Sequence, residues 1–349
     1  MVYDENDAAI ADAARSLLLD APPIGQIRAT DRMTLLPDAA TWSGYAEQGW
    51  FGLSLPEESG GVGLGLSEHT ILLLEAGRLL APGPLVATIT AAHLAAQAGQ
   101  AERVTALLEG ATRAAFVLSD GEPGSTTTGE VVAVGDGLGA DLVVAFDGPD
   151  VLLFEAGSLA EAKPVLALDP GSRLVHGRLD GGAAVATVSG PEAVWLRATA
   201  EVLSAAVLCG IAQAVVDMSV EYAKVRTQFG KPIGTFQAVS HRCAWMAARA
   251  EAARCQTLFT GLSMDAAADD EGVADAVLSA RSSLAIAVGS ARENCADNMR
   301  NHAAIGMTYE HDAHLYLLRS QAVTASMGSQ HTRLRALAEA PTASLAGIS

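Results

Sequence analysis

Three stretches of different character predict an α+β chain with a helical N-terminal module, a small middle β module and a C-terminal helical bundle. Apolar residues recur at helical spacing first, short β-rich runs follow, and long Ala-rich helical stretches complete the chain. The boundaries between these characters fall at residues 1–112, 113–191 and 192–349.

In the first module, residues 5–19 read as a helix that ends before Ala21-Pro22-Pro23, where proline denies the next turn its donor. Residues 38–48 read as a second, shorter helix. A glycine-rich loop containing Pro56, GWFGLSLPEESGGVGLG (49–65), leads into the strongly apolar helix LSEHTILLLEAGRLL (66–80). Pro82 and Pro84 stop that helix, and two more helical stretches follow at 85–98 and 100–109. The middle module contains AAFVLS, GEVVAVG, DLVVAF, VLLFEA, KPVLAL, RLVHGRL and AAVATV, separated by Gly, Asp and Pro. This spacing of strands and turns predicts a small β-sandwich or barrel. Helices over 192–226, 235–265, 272–304 and 312–327 have lengths that suit an antiparallel bundle.

Half the residues are apolar and 18% are charged, the balance of a well-packed globular chain. A formal charge of -18 argues against nucleic acid or an anionic membrane as partner, since phosphate binding needs clustered Lys and Arg. An anionic small ligand such as a CoA ester needs only one local basic pocket. Cys209, Cys243, Cys255 and Cys295 show neither CxxC spacing nor a companion His cluster, so they read as small buried thiols in a reducing compartment, without a structural metal. The acidic start MVYDENDAAIADAARS lacks the features of a signal peptide, and no run reaches the ~20 apolar residues of a membrane span. The expected location is cytoplasmic.

The most specific segment is EYAKVRTQFGKPIGTFQAVSHRCAWM (221–246). A helix ends at Arg226, a tight polar turn holds Gly230, Pro232 and Gly234, and a new helix opens at Thr235. Backbone N–H donors gathered at a helix start beside a guanidinium suit phosphate oxygens. An ordinary helix–turn–helix joint uses the same Gly and Pro, and the residues alone leave both readings open.

Together with GWFGLSLPEESGGVG, LLEAGRLLAPGPL (73–85) and IGMTYEHDAHLYLLR (305–319), this segment resembles the acyl-CoA dehydrogenase family. The four segments stand in the family's order, so the resemblance covers essentially the whole chain. It implies an acyl-CoA dehydrogenase-like fold, FAD as cofactor, an acyl-CoA substrate, and electron-transfer flavoprotein or a similar electron acceptor. Arg226, Gln228 and Phe229 match residues contacting the pyrophosphate and adenine end of FAD bound largely by the neighbouring subunit. Ser119 matches a position beside the flavin ring, and Glu310 matches the base that removes the α proton. A carboxylate held in a dry pocket is the stronger base, which suits a weakly acidic C–H beside a thioester. Glu57 and Glu58 sit in the PEESGG loop, which in the family shapes structure near the active site, but they read here as solvated loop carboxylates.

His311 and Asp312 point about 100° apart if helical, so they read as a helix cap and a surface polar residue rather than a catalytic dyad. His241 reads as a packing or interface group. No Ser-His-Asp arrangement or P-loop is present, and the glycines at 60, 61, 63 and 65 follow no βαβ unit.

Three departures from the family pattern stand out. Where the family has Gln-x-His-Gly-Gly-x-Gly, this chain has Arg300-Asn301-His302-Ala303-Ala304-Ile305-Gly306, placing two methyl groups where a phosphate approaches the backbone. Arg300 and Gly306 remain as candidate cofactor contacts. The turn after the first strand is rearranged to SDGEPGSTTTG, and the short middle module lacks the tryptophan-bearing flavin strand. These losses resemble the two-subunit α2β2 acyl-CoA dehydrogenases of actinobacterial sterol catabolism. That resemblance implies a hetero-oligomer with a related chain and steroid side-chain CoA esters as substrates. Two other readings remain: a non-catalytic subunit completing its partner's flavin site, and a flavin monooxygenase on the same fold.

Overall fold

The computed structural model describes residues 5–31, 34, 37–118, 131–179 and 184–339. Ser119 and the rearranged SDGEPGSTTTG turn lie outside these residues. The N-terminal part contains α1 (Glu5–Asp20), α2 (Pro23–Ala29), α3 (Ala39–Glu47), α4 (Leu66–Arg78), α5 (Leu85–Gln97) and α6 (Ala101–Leu108). Asp38 caps α3 by accepting from Thr41 N at 2.8 Å. Trp42, Tyr45, Trp50 and Phe51 are buried beside α4, with Tyr45 and Trp50 stacked at 4.3 Å.

Helix α1 ends at Asp20, before the two prolines as expected, but the helix α2 that follows was not foreseen. Pro23 is its first residue, where the missing N–H has no intrahelical partner to lose.

The middle part contains β1 (Ala114–Leu118), β2 (Val131–Gly135), β3 (Leu142–Asp147), β4 (Asp150–Glu155), β5 (Leu159–Val165), β6 (Leu174–Leu179) and β7 (Ala184–Val188). They form one seven-stranded sheet in the order β5-β6-β2-β1-β3-β4-β7, in which β1 and β3 run parallel. The expected sandwich or barrel is therefore a single curled sheet with two edges. Alternate residues go to different cores: Leu142 and Val144 pack toward α5, while Val143 and Ala145 join Val175 and Leu179 of β6. KPVLAL is only half strand. Leu166 and Leu168 lie beyond β5 and are 63% and 82% exposed.

The C-terminal part contains α7 (Gly190–Val225), α8 (Gln237–Ala266), α9 (Asp270–His302), α10 (Ala313–Ser326) and α11 (Gln330–Ala338), the last outside the sequence expectation. Between α7 and α8 lies a minimal hairpin of β8 (Thr227–Gln228) and β9 (Lys231–Pro232). Helix α7 packs against α4, α8 and α9. It is long and apolar enough to cross a membrane, but 83% of its most apolar window is buried inside the fold, as in a bundle's core helix.

The α4–α7 crossing depends on two glycines. A Cβ at Gly77 would meet Val207 O at 2.1 Å, and one at Gly210 would meet Leu74 O at 2.0 Å. The two backbones touch, and this contact forms the floor of the cavity described next.

Candidate functional site

A cavity of about 430 Å³ lies between the end of α4, the start of α5, the sheet, α7 and α10. Leu85, Val86, Phe116, Leu118, Leu166 and Leu168 supply apolar walls, so the exposed leucines after β5 have a role as lining. Asp136, Asp169, Ser172 and Arg319 gather polar groups at one side. Arg319 donates to Asp169 at 2.5 Å and to Ala81 O at 3.0 Å, joining α10 to the β5–β6 loop and to the end of α4. Asp136 accepts from Ser172 Oγ and Arg173 N, yet burial still raises its pKa above the ordinary carboxylate value. Ser204 of α7 also lines the cavity, with a buried hydroxyl that has no hydrogen-bond partner among the described residues. The volume and mainly apolar lining are those of a small-molecule site.

Helix α10 leads from this cavity wall back to the turn carrying Glu310. Glu310 is exposed, as are Met307 and Tyr309, and Glu310 is not among the residues lining the cavity. This corrects the expectation of a carboxylate in a dry pocket within the single chain. The inner side of the turn is held by rings: Tyr222 stacks on His302 at 4.3 Å, and His302 meets His311 at 4.3 Å. His302 donates to Asn298 O at 2.9 Å, while His311 Nδ1 accepts from Ala313 N at 3.1 Å. Burial lowers both imidazole pKa values; the bond to Asn298 O partly offsets this at His302, and the Asp312 carboxylate partly offsets it at His311. Asp312 makes no side-chain cap; it pairs with Arg28 of α2 at 2.6 Å.

Arg226, Gln228 and Phe229 meet on the β8–β9 hairpin. Phe229 (φ +52°) and Gly230 (φ +77°) are its two central residues, the left-handed pair that a two-residue hairpin requires. Phe229 is 92% exposed. The Arg226 guanidinium has no partner among the described residues, whereas its backbone N–H donates to Tyr222 O at 2.9 Å. His241 is exposed on α8, so it does not pack within this chain. Arg300 is exposed on the last turn of α9 and donates to Asp297 at 2.9 Å, which partly neutralises it. Gly306 is buried, and a Cβ there would meet His302 Cβ at 2.9 Å, a packing reason for glycine that does not involve phosphate.

The replaced glycines leave a trace in the backbone. Ala303 has φ +53° and ψ -137°, a conformation that glycine adopts freely and alanine does not. All four cysteines are free, but Cys243 and Cys255 are only half-buried, a correction to their reading as buried thiols. Among the described residues no cluster of His, Cys, Asp or Glu could hold a metal.

The N-terminal domain of acyl-CoA dehydrogenase matches residues 4–114, and the C-terminal domain matches residues 199–341. The chain belongs to the acyl-CoA dehydrogenase family. This family consists of flavin-dependent oxidoreductases, and FAD is the cofactor. Acyl-CoA dehydrogenase IpdE2 of Mycobacterium tuberculosis is 34% identical over 305 residues, covering 86% of each chain. Acyl-CoA dehydrogenase FadE34 of the same organism is 34% identical over 303 residues, covering 84% of this chain. The present chain spans only 41% of FadE34's length. Among solved structures, a variant of the steroid ACAD Tcur3481-Tcur3483 is 26% identical, with a TM-score of 0.82 over 96% of this chain and 97% of that one.

The residues present fit FAD in part. An exposed guanidinium and aromatic ring on the hairpin suit a phosphate and an adenine. The methyl groups of Ala303 and Ala304 stand where the sequence resemblance leads one to expect paired glycines. The residues that sequence reasoning missed are Arg28, Asp169 and Ser204, none of which belongs to a recognisable local pattern.

Proposed function

We propose that this chain is a subunit of an acyl-CoA dehydrogenase in which Glu310 takes the α proton of an acyl-CoA thioester and a related, unlike chain completes the flavin site. The observation that carries this reading is the course of α10: its first residues follow the Glu310 turn, and its later turns wall the apolar cavity. The turn carrying Glu310 and an acyl-binding wall are therefore joined by one helix.

FAD, when bound, accepts the β hydrogen as hydride. The chain's own residues bind and orient. The cavity takes the acyl group, Arg226 and the hairpin hold phosphate, and Glu310 holds the abstracted proton. Substrate and partner exclude water from Glu310, and desolvation strengthens a carboxylate as a base. Arg226 and Phe229, both exposed on the lone chain, supply a surface for an adjoining subunit. Electron-transfer flavoprotein or a similar protein accepts the electrons, and the free thiols fit a reducing, cytoplasmic setting. Similarity to the steroid ACAD and the apolar cavity support bulky steroid side-chain CoA esters as substrates.

The test is a visible spectrum of the chain, alone and co-expressed with a related chain, followed by turnover of straight-chain, branched and sterol acyl-CoAs with a dye acceptor. Flavin at one per chain in a stable homotetramer rejects the unlike partner. Activity confined to short straight chains rejects the steroid assignment.

One observation favours a second reading, a non-catalytic subunit: Glu310 is exposed and outside the cavity. Glu310→Gln in the assembled enzyme separates the two. Loss of turnover supports the base, and unchanged turnover supports the non-catalytic role.

A further inference from the structure

We propose that the cavity selects an acyl group bearing a neutral oxygen substituent, a ketone or an alcohol, and that the Ser204 hydroxyl receives it. This inference rests on the reading of the cavity as the acyl-binding site, and it is independent of which residue removes the α proton.

The hydroxyl is placed for a ligand rather than for the fold. Ser204 is 1% exposed, lines the cavity from α7, and has no hydrogen-bond partner among the described residues. A buried serine or threonine on a helix can satisfy itself by donating to the carbonyl one turn back. Thr199 on the same helix does so, to Trp195 O at 3.0 Å, and Thr90 of α5 does so, to Val86 O at 2.7 Å. Ser204 does not, and a hydroxyl buried without a partner is costly. The cavity floor beside it is built by Ala76, Gly77, Leu80 and Val207, whose side chains offer no polar atom. An ordered water needs about two to four polar partners, so this floor suits a ligand oxygen carried on an apolar frame better than a resident water.

The polar groups on the other side of the cavity are committed within the chain. Arg319 is paired with Asp169, Ser172 donates to Asp136 at 2.9 Å, and Ser326 donates to Val323 O at 2.8 Å. The Ser204 hydroxyl has no such commitment. It can donate to a ketone or accept from an alcohol, so both fit. A charged substituent does not, because Asp169 already answers the Arg319 charge and burying a further unpaired charge is far costlier than burying a neutral dipole. A plain hydrocarbon leaves the hydroxyl unserved, and sites built to bond a substrate oxygen reject the analogue that lacks it.

The experiment uses the assembled, flavin-loaded enzyme and compares the parent with Ser204→Ala, Ser204→Cys and Val86→Trp, the last of which fills the cavity. The substrates are acyl-CoAs of equal length in matched sets: unsubstituted, or with a ketone or hydroxyl moved stepwise outward along the chain. Turnover with a dye acceptor gives kcat/KM. Calorimetry gives dissociation constants for the corresponding S-alkyl-CoA thioethers, which lack the thioester carbonyl and are not oxidised.

The parent is expected to favour at least one oxygenated member over its plain counterpart by about tenfold or more, in kcat/KM and in binding. Ser204→Ala should bring that ratio to within about twofold of unity, and Ser204→Cys, with a weaker hydrogen-bonding group of similar shape, should give an intermediate ratio. Val86→Trp should weaken binding of every thioether. If Val86→Trp binds all of them as the parent does, the cavity is not the acyl site and this inference falls with that reading. If Val86→Trp weakens binding but the parent shows no preference for oxygen at any position, the cavity reading stands and the role of Ser204 is overturned. A full preference retained in Ser204→Ala, or in Ser204→Cys should the alanine variant fail to assemble, overturns it equally.

Discussion

Arg319 and Asp169 form a buried ion pair at 2.5 Å, with side chains 10% and 4% exposed, and it joins α10 to the β5–β6 loop at the edge of the cavity. Removing one partner strands the other charge away from water, and such losses typically cost 3–5 kcal/mol. Arg319→Met is expected to lower stability by about that amount. Arg319→Met with Asp169→Asn should recover part of it, because no unpaired charge remains. Chemical denaturation of the two variants checks this. A loss under about 1 kcal/mol for the single variant would show that water reaches the pair.

Ala303 carries a glycine-like backbone with an alanine side chain. Such strain costs about 1–3 kcal/mol. Ala303→Gly should therefore raise the melting temperature. By removing a methyl group from the phosphate approach, it should also raise the flavin-to-protein absorbance ratio of the chain purified alone. An unchanged melting temperature would mean that the turn relaxes elsewhere. A higher melting temperature with unchanged flavin would confine the effect of the methyl group to the backbone.

The three characters of the chain were legible because each has its own periodicity, and the long helices α4, α7, α8 and α9 bury continuous apolar faces that periodicity reveals. Helix α2 was not legible, since a seven-residue segment opening on a proline reads locally as a break. The strand assigned to KPVLAL failed after Val165, where Leu166 and Leu168 turn to the cavity instead of pairing. Alternation of apolar residues cannot distinguish a strand from a loop that lines a pocket. At the candidate site, Gly230, Pro232 and Gly234 mark a tight turn in the sequence, but the two-residue strands β8 and β9 that frame it are too short to carry a periodic signal. The Arg28–Asp312 contact joins residues 284 positions apart, and no local pattern carries that information.

His69 and His93 are joined through one hydroxyl and predict a pH dependence of stability. Ser54 Oγ lies 2.8 Å from His69 Nδ1 and 3.1 Å from His93 Nε2, and His69 Nε2 donates to Trp50 O at 3.0 Å. Burial lowers their pKa values from 6.5 to about 3 for His69 and about 4 for His93. The unfolded chain takes up these two protons as pH falls through 6.5, whereas the folded chain resists until far lower. Their contribution is therefore complete above pH 6.5 and is lost as pH falls through about 4 and about 3. Melting curves between pH 7 and 4 should show a steady fall, and His93→Gln should flatten part of it. An equal slope in the variant would assign the fall to other groups.

Phe229 is 92% exposed on the lone chain although it stands at the centre of the most family-specific segment. An aromatic ring at a hairpin tip, held by the backbone geometry of Phe229-Gly230 and touching Phe236 edge-on at 6.1 Å, contributes little to the stability of its own chain. Its value lies in what covers it. Phe229→Ala should leave the unfolding free energy of the isolated chain within about 0.5 kcal/mol of the parent, as exposed substitutions do. The same change should reduce flavin retention in the assembled enzyme, because burying an aromatic against a ligand or subunit is worth about 1.5–3 kcal/mol. Arg226→Gln should weaken flavin retention in the same way, and the gap between parent and variant should narrow with added salt if the guanidinium acts on phosphate at long range. Size-exclusion chromatography with absorbance at the flavin band follows both quantities together. If neither variant changes flavin retention or assembly, the hairpin has no part in cofactor binding, and the flavin contacts of this chain must come from the cavity side alone.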